Sequence, residues 1–210
     1  KYLKFDTQVF MSKEIKLGIE DSMKFGFENS IIWPLAINIP KNTFTGKPKI
    51  FKIVSIGRYV EFKSYNLYMF DVFKTLVNRG MKITWEIYGD GALKEKMLKL
   101  ASNSEFENPI KVNGEVPYSR IPAVIQDASV FIGMGTTILE VGSYGVPTIP
   151  AIAYSKTPFT YGYLHDLPYY SIGERLESDP VVPIADLISE LYHSTENDFE
   201  EFRNKTKKYV

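Results

Sequence analysis

Between residues 51 and 152 the chain repeats one pattern, a short apolar run followed by a stretch whose apolar residues recur at three- and four-residue spacing. Phe51–Ile56 reads as a strand, and residues 64–79 set Met69, Phe70, Phe73, Leu76 and Val77 on one helical stripe that Gly80 ends. Residues 82–88 (KITWEIY) form the next strand, and Leu93, Met97, Leu100 and Ala101 mark the helix after it. Residues 109–113 form a short strand and 118–127 a short helix. Then come a strand at 129–132, a helix from Thr136, and a strand at 146–152. A short strand at 167–171 and helices at 183–193 and 198–209 close the chain. This alternation predicts an α/β fold, a Rossmann-like parallel sheet with helices on both faces. Such sheets bind ligands beyond the carboxyl ends of the strands, where the strand order reverses.

Residues 1–45 depart from the pattern. They hold one strand (7–11), one helix (12–25) and a proline- and glycine-rich approach (30–34 and 38–49). One strand and one helix cannot bury themselves, so this stretch is expected to be the end of a preceding domain and a linker, with residues 46–210 as the main domain. The chain opens Lys1-Tyr2-Leu3 without methionine, which fits a fragment. With 44% hydrophobic and 14% aromatic residues it can bury a sizeable core.

Twenty-five basic and 25 acidic residues cancel, so no overall field recruits nucleic acid or anionic lipid. The absence of cysteine excludes disulfides and thiolate ligands or nucleophiles, and fits a reducing compartment. No apolar run approaches the ~20 residues that cross a bilayer, and no signal peptide opens the chain.

The loops at the strand ends carry what chemistry there is. After the first strand, "GRYVEFK" (57–63) has one glycine where a dinucleotide fingerprint needs three, which excludes that cofactor mode. It offers instead Arg58 and Lys63, a planar fork and a mobile point charge suited to a diphosphate; the bland reading is two solvated loop cations. In "YGDGALKEK" (88–96) Asp90 reads as a helix cap, and Gly89 and Gly91 relieve a tight turn. "VNGEVPYSRIP" (112–122) is a turn first and a wall for a flat base second.

"GMGTTILEVGSYGVP" (133–147) holds Gly133 and Gly135 at a strand end and a helix start at Thr136, whose N–H groups and dipole attract anions. Glu140 lies four residues on, hence on the same face. A carboxylate there would repel phosphate, but it would accept from ribose hydroxyls. The dipole also favours an acid near a helix start without any ligand, by ~0.3–1 kcal/mol. His165 and His193 have no metal-ligand spacing, and no D-x-D pair is present to hold a metal on a diphosphate.

Taken in order, "IVSIGRYVEFKS", "IYGDGALKEKML", "KVNGEVPYSRIP" and "GTTILEVGSYGVPTI" resemble the donor-binding half of GT-B glycosyltransferases of the group 1, family 4-like set. The resemblance implies the C-terminal half of a GT-B fold, with residues 1–45 ending the acceptor-side domain and residues 46–210 forming the nucleotide-sugar domain. It implies that Arg58 and Lys63 hold the leaving diphosphate without metal or other cofactor. Gly57, Gly135, Thr136 and Thr137 would lie against phosphate or donor sugar, and Glu140 on the ribose. The expected reaction is transfer of a hexosyl group from a UDP- or GDP-type donor to a glycan or lipid-linked acceptor. It would take place in the cytoplasm, with at most peripheral contact with the inner face of the membrane, as in surface polysaccharide synthesis. The chain without its preceding domain would be weakly active. Rival readings are a nucleotide-sugar epimerase and a non-catalytic nucleotide-binding module. One departure stands out: the family's E-x7-E pattern would place an acid eight positions before Glu140, where this chain has Ile132.

Overall fold

The computed structural model describes residues 7–102, 109–168 and 171–210. It opens with β1 (Gln8–Phe10), α1 (Lys13–Met23) and β2 (Ser30–Ile32), the two strands pairing in parallel. Ser12 starts α1 by accepting from the Ile15 N–H at 3.1 Å, and Lys24 ends it in the left-handed region with φ of 51°. The stretch at 30–34, expected as irregular approach, contains β2. A three-residue strand has too short an alternation to announce itself, and its partner lies across a helix.

The main unit follows the expected repeat: β3 (Phe51–Ile56), α2 (Tyr65–Asn78), β4 (Ile83–Tyr88), α3 (Lys94–Ala101), β5 (Ile110–Asn113), α4 (Ile121–Ile125), β6 (Val130–Gly133), α5 (Thr136–Ser143) and β7 (Thr148–Pro150). A turn of 3-10 helix, Tyr118–Arg120, leads into α4. The five strands run parallel in the order β5-β4-β3-β6-β7, so the order reverses at β3. A two-stranded antiparallel hairpin, β8 (Phe159–Thr160) with β9 (Val182–Pro183), then leads to α6 (Ile184–His193) and α7 (Glu196–Tyr209). The strand expected at 167–171 includes residues 169 and 170, which lie outside the described residues; Leu167 closes a 3-10 turn instead. No helix among the described residues is long and apolar enough to cross a membrane.

Alternation along β3 divides the core. Ile53 points into a cluster with Met69, Phe73, Trp85, Ile188 and Leu191, while Val54 and Ile56 face Ile121, Ile125, Phe131, Ile138 and Val141. Helices α2, α3 and α6 thus cover one face, and α4 and α5 the other. Both faces being covered explains why β3 reads as a continuous apolar run rather than an alternating one.

Buried Arg203 on α7 donates to the Gly46 and Gly145 carbonyls at 2.9 and 2.8 Å, tying the linker to the sheet's far end. Lys47 reinforces this by donating to Tyr192 O and Ser194 O, at the carboxyl end of α6.

At the carboxyl end of the sheet the first two loops are zipped together. The Gly57 N–H donates to Tyr88 O at 2.9 Å, Tyr59 N–H to Asp90 O at 2.8 Å, and Leu93 N–H to Tyr59 O at 3.0 Å. The approach is so close that a Cβ on Gly89 would run into the Gly57 carbonyl, and Gly89 sits at φ of 154°. The expected glycine turn is therefore also a contact between two loops. Asp90 binds the Gly91 N–H and Lys94 rather than capping α3, whose N-cap is Leu93. Gly89→Ala should cost about 2 kcal/mol of stability or more, because strain and collision add. Thermal unfolding of the variant checks this, and an unchanged midpoint would contradict the packing described.

Candidate functional site

The reversal of strand order puts the β3–α2 and β6–α5 loops side by side, since β3 pairs with β6 from Ile53 and Val54 to Val130 and Phe131. Arg58 and Lys63 stand in the first loop. The Asn66 amide donates to Arg58 O at 3.0 Å, and the Lys63 N–H to Val60 O at 3.0 Å, so the backbone of both cations is fixed. Arg58 is exposed, with its guanidinium 5.6 Å from the centre of the Phe62 ring. Lys63 is half-buried; burial first, and the Arg58 charge second, hold its pKa below the ordinary lysine value. Neither cation has a carboxylate partner among the described residues.

The loop is braced from the other side of β6. The Tyr154 N–H donates to Phe62 O at 2.9 Å, the rings of Phe62 and Tyr154 lie 5.7 Å apart, and Ser64 Oγ donates to Ser155 O. Ser64 precedes α2 yet makes no capping bond, because its hydroxyl is engaged there.

In the second loop Gly135 is the N-cap of α5, at φ of 83°. Its N–H is not free: it donates to Ile172 O at 2.7 Å. The N–H groups of exposed Thr136 and half-buried Thr137 come next, ahead of Ile138, whose N–H turns back to Gly135 O at 3.2 Å. The anion-attracting end of α5 is thus formed by the two threonines, with Gly135 supplying backbone shape.

Glu140 lies half-buried one turn further along α5. Burial raises its pKa, and the nearby Tyr118 phenol opposes that rise. Tyr118, at the mouth of the β5–α4 connection, is 61% exposed, so a polar ligand can compete for the carboxylate. Residues 112–122 read in the sequence as a turn with a possible wall for a flat base; the approach of Tyr118 to Glu140 is a tertiary feature no local pattern announces.

The structure therefore brings Gly57, Arg58 and Lys63 together on one loop. It sets Gly135, Thr136, Thr137 and Glu140 on the helix that follows the neighbouring strand. Two hollows lie elsewhere. One of about 510 Å³ is at the amino ends of β3 and β4, between Lys49, Thr84 and Lys111. The other, of about 410 Å³, lies between α6 and α7. The histidines are remote from the crevice loops: His165 Nδ1 is 3.3 Å from Thr206 Oγ1 on α7, and His193 Nδ1 2.8 Å from Ser189 O on α6.

A family model described as "Glycosyl transferases group 1" matches residues 38–157, more than half of the chain. The chain belongs to the group 1 glycosyl transferases. Among solved structures it is similar to S. aureus TarM in complex with Fondaparinux, alpha-GlcNAc-glycerol and UDP, with a TM-score of 0.68 and 18% identity over 96% of this chain and 40% of that one. It is also similar to the pneumococcal O-GlcNAc transferase GtfA in complex with UDP and GlcNAc (TM-score 0.65, 20% identity, covering 97% of this chain and 41% of that one). The trehalose-6-phosphate synthase OtsA gives a TM-score of 0.67 at 10% identity, over 98% of this chain and 56% of that one. At these identities the likeness is one of fold, and the chain spans about 40% of the first-named relative. No curated protein sequence matches it. These relatives are GT-B glycosyltransferases, and the likeness to them is of the α/β fold described above.

The approach of Tyr118 to Glu140 has a measurable signature. Because the phenol opposes the rise that burial imposes on the carboxyl pKa, Tyr118→Phe should move Glu140 further upward. Carboxyl NMR titration of the variant against the parent reads that shift directly; an equal or lower pKa would show that the two side chains do not pair in solution.

Proposed function

We propose that this chain is the donor-binding part of a glycosyltransferase that moves a sugar from a nucleoside-diphosphate donor to an acceptor hydroxyl. One observation carries the reading: two adjacent cations, without carboxylate partners among the described residues, stand at the end of β3, beside the helix start that follows the neighbouring strand. A diphosphate supplies the missing negative charge. Arg58 and Lys63 act on the leaving group as its charge develops, with Thr136 and Thr137 N–H groups at the α5 terminus, and no metal is required for that task. Glu140 takes the ribose hydroxyls now represented by the Tyr118 phenol. The donor is of UDP or GDP type, the transferred unit a hexosyl group, and the acceptor a glycan or lipid-linked sugar. The setting is surface polysaccharide synthesis in the cytoplasm, at most touching the membrane peripherally.

Residues 1–45 are read as the end of the acceptor-side domain and its linker, and residues 46–210 as the donor domain. The apolar side chains left bare on the β1–α1–β2 unit support this: Val9 is 61% exposed, Trp33 66%, and Ile31 is also uncovered. A partner sheet continuing from β1 and β2 would cover them, and would bring the acceptor and any general base.

A second reading, a nucleotide-binding module without turnover, is favoured by Ile132 in place of the family's first acid and by the engagement of the Gly135 N–H with Ile172. The epimerase reading needs acids or histidines at the crevice, and both histidines pack elsewhere.

Calorimetric titration of the full-length protein with UDP, GDP and ADP tests the binding and names the base; absence of binding to all three overturns the reading. Supplying UDP- and GDP-sugars and analysing for transferred sugar separates enzyme from module. In the full-length enzyme, Arg58→Ala and Lys63→Ala should each lower kcat about a hundredfold, equivalent to ~3 kcal/mol, while the unfolding midpoint holds. Activity surviving both changes would remove these residues from the mechanism.

A further inference from the structure

The hollow of about 510 Å³ at the amino ends of β3 and β4 lies at the end of the sheet opposite the crevice, and its charges do not balance. Five cations line it, Lys47, Lys49, Lys52, Lys111 and Arg203, against two carboxylates, Glu86 and Asp127. Both carboxylates are already engaged. Lys52 Nζ stands 2.7 Å from Asp127 and 3.7 Å from Glu86, and Lys111 Nζ stands 3.6 Å from Glu86. Lys47, Lys49 and Arg203 have no ion-pair partner among the described residues. Glu196 and Glu200 act on Lys47 and Arg203 only from beyond ion-pair distance.

Arg203 decides the matter. It is 1% exposed, its Nε and Nη1 donate to the Gly46 and Gly145 carbonyls, and its Nη2 has no hydrogen-bond partner among the described residues. Burial lowers its pKa, as it lowers that of Lys47. A buried guanidinium whose partners are neutral carbonyls keeps a charge that nothing beside it cancels, which is costly in a protein interior. Positive side chains reach this one hollow from separate parts of the chain: Lys47 and Lys49 from the linker, Lys111 from β5, and Arg203 from α7. We infer that the hollow is a second anion site, which takes a small molecule carrying a phosphoryl group. Its volume lies within the roughly 300–1,000 Å³ of small-molecule sites. Phosphoryl oxygens accept from a guanidinium and from ammonium groups together, and they bring the negative charge that Arg203 lacks. Bound there, the anion joins the linker to β5 and α7. The site is remote from Arg58 and Lys63, so the inference stands apart from the donor reading.

The test is calorimetric titration of the full-length protein carrying Arg58→Ala and Lys63→Ala, which removes the crevice cations. The probes are inorganic phosphate, inorganic diphosphate and glucose 6-phosphate, with glucose as the uncharged control. At least one phosphoryl anion should bind this protein and raise its unfolding midpoint. Adding Lys49→Glu should weaken that binding about tenfold or more, as the loss of one charge-assisted hydrogen bond does, while the midpoint without anion holds, because Lys49 is exposed. Lys111→Gln should weaken it in the same direction, and decides alone if Lys49→Glu fails to fold. Tighter binding of glucose 6-phosphate than of the inorganic ions assigns the site to a phosphorylated metabolite; equal or weaker binding assigns it to the free ion. Absence of binding by all three anions overturns the inference, as does binding that neither Lys49→Glu nor Lys111→Gln weakens, or glucose binding as tightly as its phosphate. Nucleotide binding by the protein with an intact crevice should be untouched by Lys49→Glu, so failure of one site is read separately from failure of the other.

Discussion

Two positive charges held side by side at the end of the central strand set the terms for the rest of this structure. Like charges repel, and Lys63 shows it, with its pKa lowered by burial and by Arg58. What keeps them there is backbone. Gly57 and Tyr59 are hydrogen-bonded to the β4–α3 loop, the Asn66 amide holds Arg58 O, and Tyr154 and Ser155 brace Phe62 and Ser64 from beyond β6. These contacts in turn need glycine at 57 and 89, because side chains there would enter the neighbouring loop or the space between Tyr65 and Lys63. On the proposed reading, an anion at this place would relieve the repulsion that the scaffold sustains.

The fold was legible in the sequence wherever both faces of a strand are buried. Phe51–Ile56 and the apolar stripe of α2 announce themselves because helices cover the sheet on both sides, and the reversal at β3 follows from packing such units. Group 1 membership was legible from loop residues in the right order, Arg58 and Lys63 first, Glu140 and the glycines later. The β2 strand and the β8–β9 hairpin escaped for a common reason: two or three residues give no periodicity, and their pairing is decided by distant chain. Tyr118 and Tyr65 escaped differently. One looks like a turn residue and the other like an ordinary helix core position, and only the tertiary structure shows a phenol near Glu140 and a buried, unpartnered oxygen above Gly57.

The two sides of the crevice are built from different materials. One side uses elements of the Rossmann-like unit alone: the β3–α2 loop, the α5 terminus and the β5–α4 connection. The other side is walled by residues 171–174. There Ile172 O takes the Gly135 N–H, Gly173 presses against the Ala151 carbonyl, and its own carbonyl accepts from the Ala153 N–H at 2.9 Å. Glu174 secures this wall through the Ile172 N–H at 2.6 Å and reaches outward to Ser12 Oγ, the N-cap of α1, at 2.7 Å. A single carboxylate thus joins the amino-terminal unit to the peptide that shields the head of α5. The loop that lacks the family's first acid, Ile132 to Gly135, lies directly against that wall. On the proposed reading, diphosphate and ribose are recognised by a self-contained domain. On that same reading, the room left beside them for a sugar would be bounded by residues 171–174, which Glu174 ties to the N-cap of α1 through Ser12.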